Sequence, residues 1–285
     1  MRVERAGCSG RDGLLVALAA HATIASPLDQ LDVDWIASAA ARIGDGDLLR
    51  ETAGVVFTFN TVNRIADARR VQLEYRFLRE LKPIKGWLER RLASLTSLAY
   101  DLSYQHQPRR SSAEMLDRLG GLFGRLGAPV MPDLFPWLSG SPAVLEGILE
   151  MIEVNFTSAG VRLDLLKEAL GIAVGSRGMA GSGLRTMVDQ WLSRASLPDS
   201  TTLGTLASLP GPPSGTDLVT ACRRYAWRVA NAAYTITDEQ IHHLSALGLS
   251  DAELFDLTLA TSVFTALAIV EPIGAAVATI PSTAA

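Results

Sequence analysis

Asn60, Asn63, Arg64 and Asp67 carry the first chemistry in this sequence, because spacings of three and four put all four on one helix face inside an otherwise apolar segment. Two readings fit. Arg64 and Asp67 can form an i, i+3 ion pair near a helix end. Alternatively, the four line a pocket between helices in which Arg64 orients an anionic substrate through paired N–H donors.

A second concentration runs from Leu165 to Met187, LLKEALGIAVGSRGMAGSGLRTM. Gly175, Gly178, Gly181 and Gly183 read either as a turn needing positive φ or as the approach to a helix N-terminus. In the second case Ser182 caps the helix, and Arg177 and Arg185 flank a place where backbone N–H groups can receive a carboxylate or phosphate. Ser182 and Thr186, four apart, would share a side, with Met179 beside them. Glu168, enclosed by Leu and Ile, would have a raised pKa and could move a proton as general base. No phosphate-loop lysine follows, so nucleotide binding is not supported.

Other polar clusters read more simply. Glu146, Glu150 and Glu153 form a carboxylate stripe expected to be a solvated face. His242 and His243 are adjacent, diverge by about 100 degrees on a helix and cannot chelate one metal, which leaves surface or interface positions. Tyr225, Trp227 and Tyr234 read as core or interface. Cys8 and Cys222 have no partner spacing, so neither a disulfide framework nor a thiolate metal site is expected, and a reducing cytoplasm is the natural setting.

Composition narrows the partners. A net charge of −4, with the basic residues dispersed, gives no footprint for a phosphate backbone, so nucleic acid is not expected. Lysine occurs only at Lys82, Lys85 and Lys167, and the dominance of Arg, Ala and Leu suggests a GC-rich bacterial genome. Leu14 to Ala25 follows three arginines, as a secretory signal would, but Glu4, Asp12 and His21 argue against that reading. Leu257 to Ile280 is long enough to span a membrane, yet Glu271 and Pro272 interrupt it. A buried core helix is the expectation, with no membrane partner. The mean hydropathy of +0.21 and the many apolar helix faces point to a homo-oligomer.

Helices must position these groups. Apolar residues recur at three and four, and no convincing alternating strand occurs. Ser111 with Glu114, Thr237 with Gln240 and Ser250 with Glu253 read as capping boxes, and Ser141 before Pro142 as another helix start. Breaks fall at Tyr104 to Arg110, Gly127 to Ser141 and Leu209 to Thr216. The first divides an N-terminal helical half, residues 1–103, from a C-terminal half, 111–285. Asp34 to Asp67 and Asp238 to Gly274 share an order of features: Asp, a short helical stretch, Gly44 or Gly248, an acidic turn, and a long apolar helix with Phe57-Thr58 or Phe264-Thr265. That order points to duplication.

The segment FTFNTVNRIADA, Phe57 to Ala68, resembles the closing helix of alkylhydroperoxidase D-like domains, and Tyr234 to Leu257 is similar to the portion preceding it. The resemblance, to the alkylhydroperoxidase D-like / carboxymuconolactone decarboxylase family, implies an all-α helical bundle in two related halves. In the peroxidase branch a glutamate precedes Cys-x-x-Cys-x-x-x-His at a helix start, where the N-terminus lowers a thiolate's pKa. Here Glu168 sits near the glutamate position, one residue off, while Met179, Ser182 and Thr186 stand where the cysteines and histidine belong. Dithiol peroxidase chemistry is therefore not expected. The resemblance instead suggests the decarboxylase branch's logic: cofactor-free, metal-free acid/base chemistry of decarboxylase, lyase or isomerase type on a small molecule in bacterial biosynthesis. Glu168, Ser182 and Thr186 would be catalytic, and Asn60, Asn63, Arg64, Asp67, Arg177, Met179 and Arg185 would hold substrate. A catalytically silent binding or assembly partner is the alternative.

Overall fold

The computed structural model describes residues 10–24, 33–69, 109–125, 131–157, 163–177, 182–194 and 215–278. Among them every regular element is helical: α1 (Arg11–Ile24), α2 (Val33–Ile43), α3 (Gly46–Ala68), α4 (Ser112–Arg125), α5 (Leu134–Leu138), α6 (Pro142–Thr157), α7 (Leu163–Arg177), α8 (Gly183–Arg194), α9 (Leu218–Ala232), a 3₁₀ turn Ala233–Thr235, α10 (Asp238–Ala246) and α11 (Asp251–Ala278). The all-α expectation holds.

The starts follow local chemistry. Asp45 accepts from the Asp47 and Leu48 N–H groups at 3.1 and 3.0 Å and opens α3. Asp217 accepts from Thr220 N–H at 2.9 Å and opens α9. The Ser250 hydroxyl accepts from Glu253 N–H at 3.3 Å while Glu253 accepts from Ser250 N–H at 2.8 Å, a complete capping box. At α10 Gln240 accepts from Thr237 N–H, and at α4 Ser111 accepts from Glu114 N–H. Pro142 starts α6 as expected. Gly127 to Ser141 is not a plain break: within it Leu134–Leu138 forms a short helix whose Pro136 lies in the first turn, where no donor is lost.

Gly44 and Gly248 each sit at positive φ, 64° and 95°, between a shorter helix and a long one. That conformation strains any residue with a Cβ, so glycine is the residue that lets α2 turn into α3 and α10 into α11.

α11 runs through the middle. It packs along α3 and α7 and touches α2 and α9, while α7 also lies against α9. Its buried face includes Leu257, Ala260, Val263, Phe264, Leu267 and Ile273, facing Leu49, Ala53, Val56 and Phe57 of α3 in one apolar cluster. Burial of this kind contributes about 25 cal/mol per Å² of apolar surface and is what holds the helices together. Helices from both sides of the expected 103/111 boundary share that cluster; residues 101–108 lie outside the described residues. α11 is long and apolar enough to cross a membrane, and 83% of its most apolar stretch is buried among the other helices. Close approach has a local cause: a Cβ on Gly274 would stand 2.9 Å from Trp137 Cε3, so glycine lets α5 seat its indole on α11.

The carboxylate stripe on α6 is not a solvated face. Glu146 is buried, accepts from Arg109 N–H at 3.0 Å and lies 3.6 Å from the Arg110 guanidinium. Glu153 pairs with Arg118 of α4 at 2.6 Å, and Glu150 is the exposed member, 3.9 Å from Arg110. These pairs tie α4 and the turn before it to α6. Cys222 is buried on α9, and Cys8 lies outside the described residues.

Candidate functional site

The polar face of α3 opens onto a cavity of about 160 Å³ between that helix and the end of α9. Asn60, Asn63, Arg64 and Asp67 all line it, with Phe59 beside them, and the opposite wall is Val229 to Tyr234. The i, i+3 ion pair expected at Arg64 and Asp67 is not how the guanidinium is spent. Its Nη1 donates to the Asn60 side-chain oxygen at 2.6 Å and to the Asn60 carbonyl at 3.2 Å, and its Nε donates to the Ala230 carbonyl at 3.4 Å. Asn60 is held in turn: its amide donates to the Val56 carbonyl at 2.8 Å and to the Thr23 hydroxyl of α1 at 3.1 Å. Three elements thus fix the orientation of one cation.

Arg177, the last residue of α7, arrives from the other side. It is buried, and its Nε donates to the same Ala230 carbonyl at 3.3 Å. Ala230 lies in the last turn of α9, where carbonyls have no partner within the helix and carry the negative end of the helix dipole. Two guanidinium groups therefore converge on one carbonyl. Burial, then the charge of Arg177, pulls Arg64 down to about 9, against an upward pull from Asp67. Burial brings Arg177 to about 10. The two guanidinium groups are thus close enough for the charge of Arg177 to be felt at Arg64, and Asp67 offsets part of it.

The turn before α8 is built differently from the sequence expectation. Gly175 lies inside α7, Gly183 is the first residue of α8 and is not among the positive-φ glycines, and Gly178, Met179 and Gly181 lie outside the described residues. Ser182 is the cap it was expected to be, accepting from Arg185 N–H at 3.2 Å. Thr186, however, is exposed, and its hydroxyl donates to the Ser182 carbonyl at 2.9 Å. Arg185 is half-buried and contributes its backbone N–H to the cap.

Glu168 is enclosed, as expected, but it is not a free carboxylate. Arg223 of α9 grips both oxygens, Nε to Oε2 at 2.7 Å and Nη2 to Oε1 at 2.9 Å. A bidentate fork of this kind engages both oxygens and holds the carboxylate against the guanidinium. The side chain joins α7 to α9.

The buried acid near the α8 N-terminus is Glu271, on the apolar stretch of α11. It accepts from Leu184 N–H at 2.9 Å through Oε1, while Oε2 is buried with no hydrogen-bond partner among the described residues. Burial pushes the Glu271 carboxyl above the usual carboxylate range; the Leu184 N–H and the nearby Ser182 hydroxyl and Gly183 N–H oppose that rise, and the Asp133 charge adds to it. The signal in the sequence was the charge interrupting Leu257 to Ile280. It reads there as evidence against a membrane span, and nothing in spacing connects residue 271 with residue 184.

His242 and His243 are exposed on α10 as expected; His243 borders a separate recess with Arg224 and Arg228 of α9. Tyr225 is core, its hydroxyl 2.7 Å from that of Thr258, and burial raises its pKa. Tyr234 is not core: it is 77% exposed at the cavity rim. Among the described residues no group of three or more His, Cys, Asp or Glu is placed to hold a metal ion.

No family model, curated protein or solved structure matches the chain.

Proposed function

We propose that this chain binds a small anionic molecule in the cavity between α3 and the end of α9. The observation that carries this reading is the pair of guanidinium groups, half-buried Arg64 and buried Arg177, meeting at the Ala230 carbonyl, with Arg64 lining the cavity. Asn63, also on the wall, adds an amide, while the Asn231 amide donates to the Trp227 carbonyl at 2.9 Å. The cavity volume suits a ligand of few non-hydrogen atoms, which gains most of its affinity from such charged contacts. Titration calorimetry with acetate, propionate and inorganic phosphate tests it: one of them binds, and Arg64→Gln removes the binding. Unchanged affinity in Arg64→Gln refutes it.

A second reading is catalytic, and Glu271 favours it. In that reading the chain is a diverged relative of the alkylhydroperoxidase D-like / carboxymuconolactone decarboxylase family, a cytoplasmic bacterial biosynthetic enzyme that acts without a cofactor. The resemblance of Phe57 to Ala68 supports the family. The matched order of helix, positive-φ glycine and long helix around Gly44 and Gly248 supports the duplication. Glu271, a buried carboxyl with one uncommitted oxygen, is then a better proton carrier than Glu168, which Arg223 occupies. Turnover lost in Glu271→Gln and kept in Glu168→Gln is the expected pattern; the reverse would restore Glu168.

A further inference from the structure

The cavity wall holds an acid as well as a base. Asp67 follows Arg64 by three residues on α3, so the two side chains leave the helix on the same face, one turn apart. The charge of Asp67 is felt at Arg64, but no hydrogen bond joins the two side chains among the described residues. Arg64 folds back onto Asn60 and Ala230, which leaves its second terminal nitrogen, Nη2, without a partner among the described residues. Asp67 is exposed and makes no ion pair among the described residues. Among the described residues, an N–H donor without a hydrogen-bond partner and a carboxylate without an ion pair thus line one opening. Beside them Asn63 supplies a group that both donates and accepts, Asn231 on the opposite wall has its amide on the Trp227 carbonyl, and Phe59, Val229 and Ala232 supply apolar surface.

We propose that the ligand is a small α-amino acid, its carboxylate on Arg64 and its ammonium on Asp67. A simple carboxylate would satisfy the cation and leave Asp67 facing a like charge. A zwitterion satisfies both. The amide at Asn63 can bond to either end, and the apolar wall takes a short side chain. The volume of about 160 Å³ accommodates a side chain of a few atoms.

This inference rests on the α3–α9 cavity being the binding site, and the experiment separates the two failures. The full-length protein is titrated with glycine, L-alanine, L-serine and L-threonine, and in parallel with propionate and ethylamine as the two halves of alanine. At least one amino acid is expected to bind about fivefold more tightly than propionate, the gain available from an exposed Asp–ammonium pair, with ethylamine weakest. Asp67→Asn should bring the amino acid down to the affinity of propionate and leave propionate equal or slightly improved, because a repelling charge has gone. Arg64→Gln should abolish binding of both. Propionate binding as well as every amino acid in the parent, or an unchanged preference in Asp67→Asn, overturns the zwitterion assignment while leaving the anion site standing. Binding by none of the carboxylates overturns both.

Discussion

Glu168 and Arg223 join α7 to α9 through a bidentate pair with side chains only 7% and 18% exposed, and removing one partner measures what that pair does. Glu168→Gln preserves shape but replaces one carboxylate oxygen with an NH2 that cannot accept, so the guanidinium keeps at best one bond to a neutral acceptor at position 168. Breaking a buried pair in this way costs about 3–5 kcal/mol, mostly the desolvation left on the surviving charge. The residual exposure of Arg223 and its freedom to turn toward water favour the lower end, about 3 kcal/mol. For a domain of this size each kcal/mol moves the melting temperature by about 2–4 °C, which gives a fall of roughly 6–12 °C. Urea unfolding followed by far-UV circular dichroism, with calorimetry in parallel, reads both quantities. The companion variants are Arg223→Met and the double replacement Glu168→Leu/Arg223→Met. In the double variant neither charge remains to be desolvated, so it should be more stable than either single variant, with a coupling of several kcal/mol. If Glu168→Gln unfolds within about 0.5 kcal/mol of the parent, and the cycle shows no coupling, the pair is not holding these helices together and the reasoning fails.

Glu271→Gln should do the opposite. Because burial raises the folded-state pKa above the unfolded value, the native carboxyl stays protonated over a range in which the unfolded one is charged. Stability is therefore full below the ordinary carboxylate range and falls as pH rises toward the folded value. The Gln variant escapes that loss: it should match the parent near pH 4 and exceed it at pH 8 by about 1–3 kcal/mol, and a constant difference across that range in denaturant midpoints would refute the shift. Gly274→Ala places a methyl 2.9 Å from Trp137 Cε3, so it should cost about 1–3 kcal/mol through overpacking and alter the indole fluorescence; a neutral effect would mean that α5 yields freely. Dithiol-dependent hydroperoxide reduction should be absent, since Cys222 is a buried thiol far in sequence from Cys8; turnover that disappears on replacing Cys222 would show otherwise. Light scattering at micromolar concentration should show a homo-oligomer, with Val55, Phe59 and Val62, all exposed on α3, among the apolar groups it could cover; a strict monomer would count against this.

The helices were legible because their starts are local. Ser250 with Glu253, Thr237 with Gln240 and Ser141 with Pro142 are each decided within one turn, and the structure opens a helix at each. The polar face of α3 was legible for the same reason: its four residues share a period, and periodicity survives folding. What the sequence did not carry is which remote group each charge would meet. Glu168 is claimed by Arg223, 55 positions away, and Leu184 N–H by Glu271, 87 positions away. Arg64 reaches Ala230 across 166 positions in preference to Asp67 across three, because an orphan carbonyl at a helix end, kept from water, attracts a donor more strongly than a solvated carboxylate does. The expected stripe on α6 went astray likewise, since Arg109, Arg110 and Arg118 approach it from a neighbouring turn and helix.

The placement of α11 bears on how the chain comes into being on the ribosome. Its main partner, α3, is complete by residue 68, whereas α11 ends at residue 278. At translation speeds of about 5–20 residues per second, the inner face of α3 waits roughly 10–40 s for the helix that covers it. Contacts of such long sequence separation also make closure entropically late. Leu49, Val56 and Phe57 therefore remain a chaperone-binding or self-associating surface until α11 emerges, and a nascent chain halted before α11 should partition into aggregates even though α3 and α9 carry their own caps.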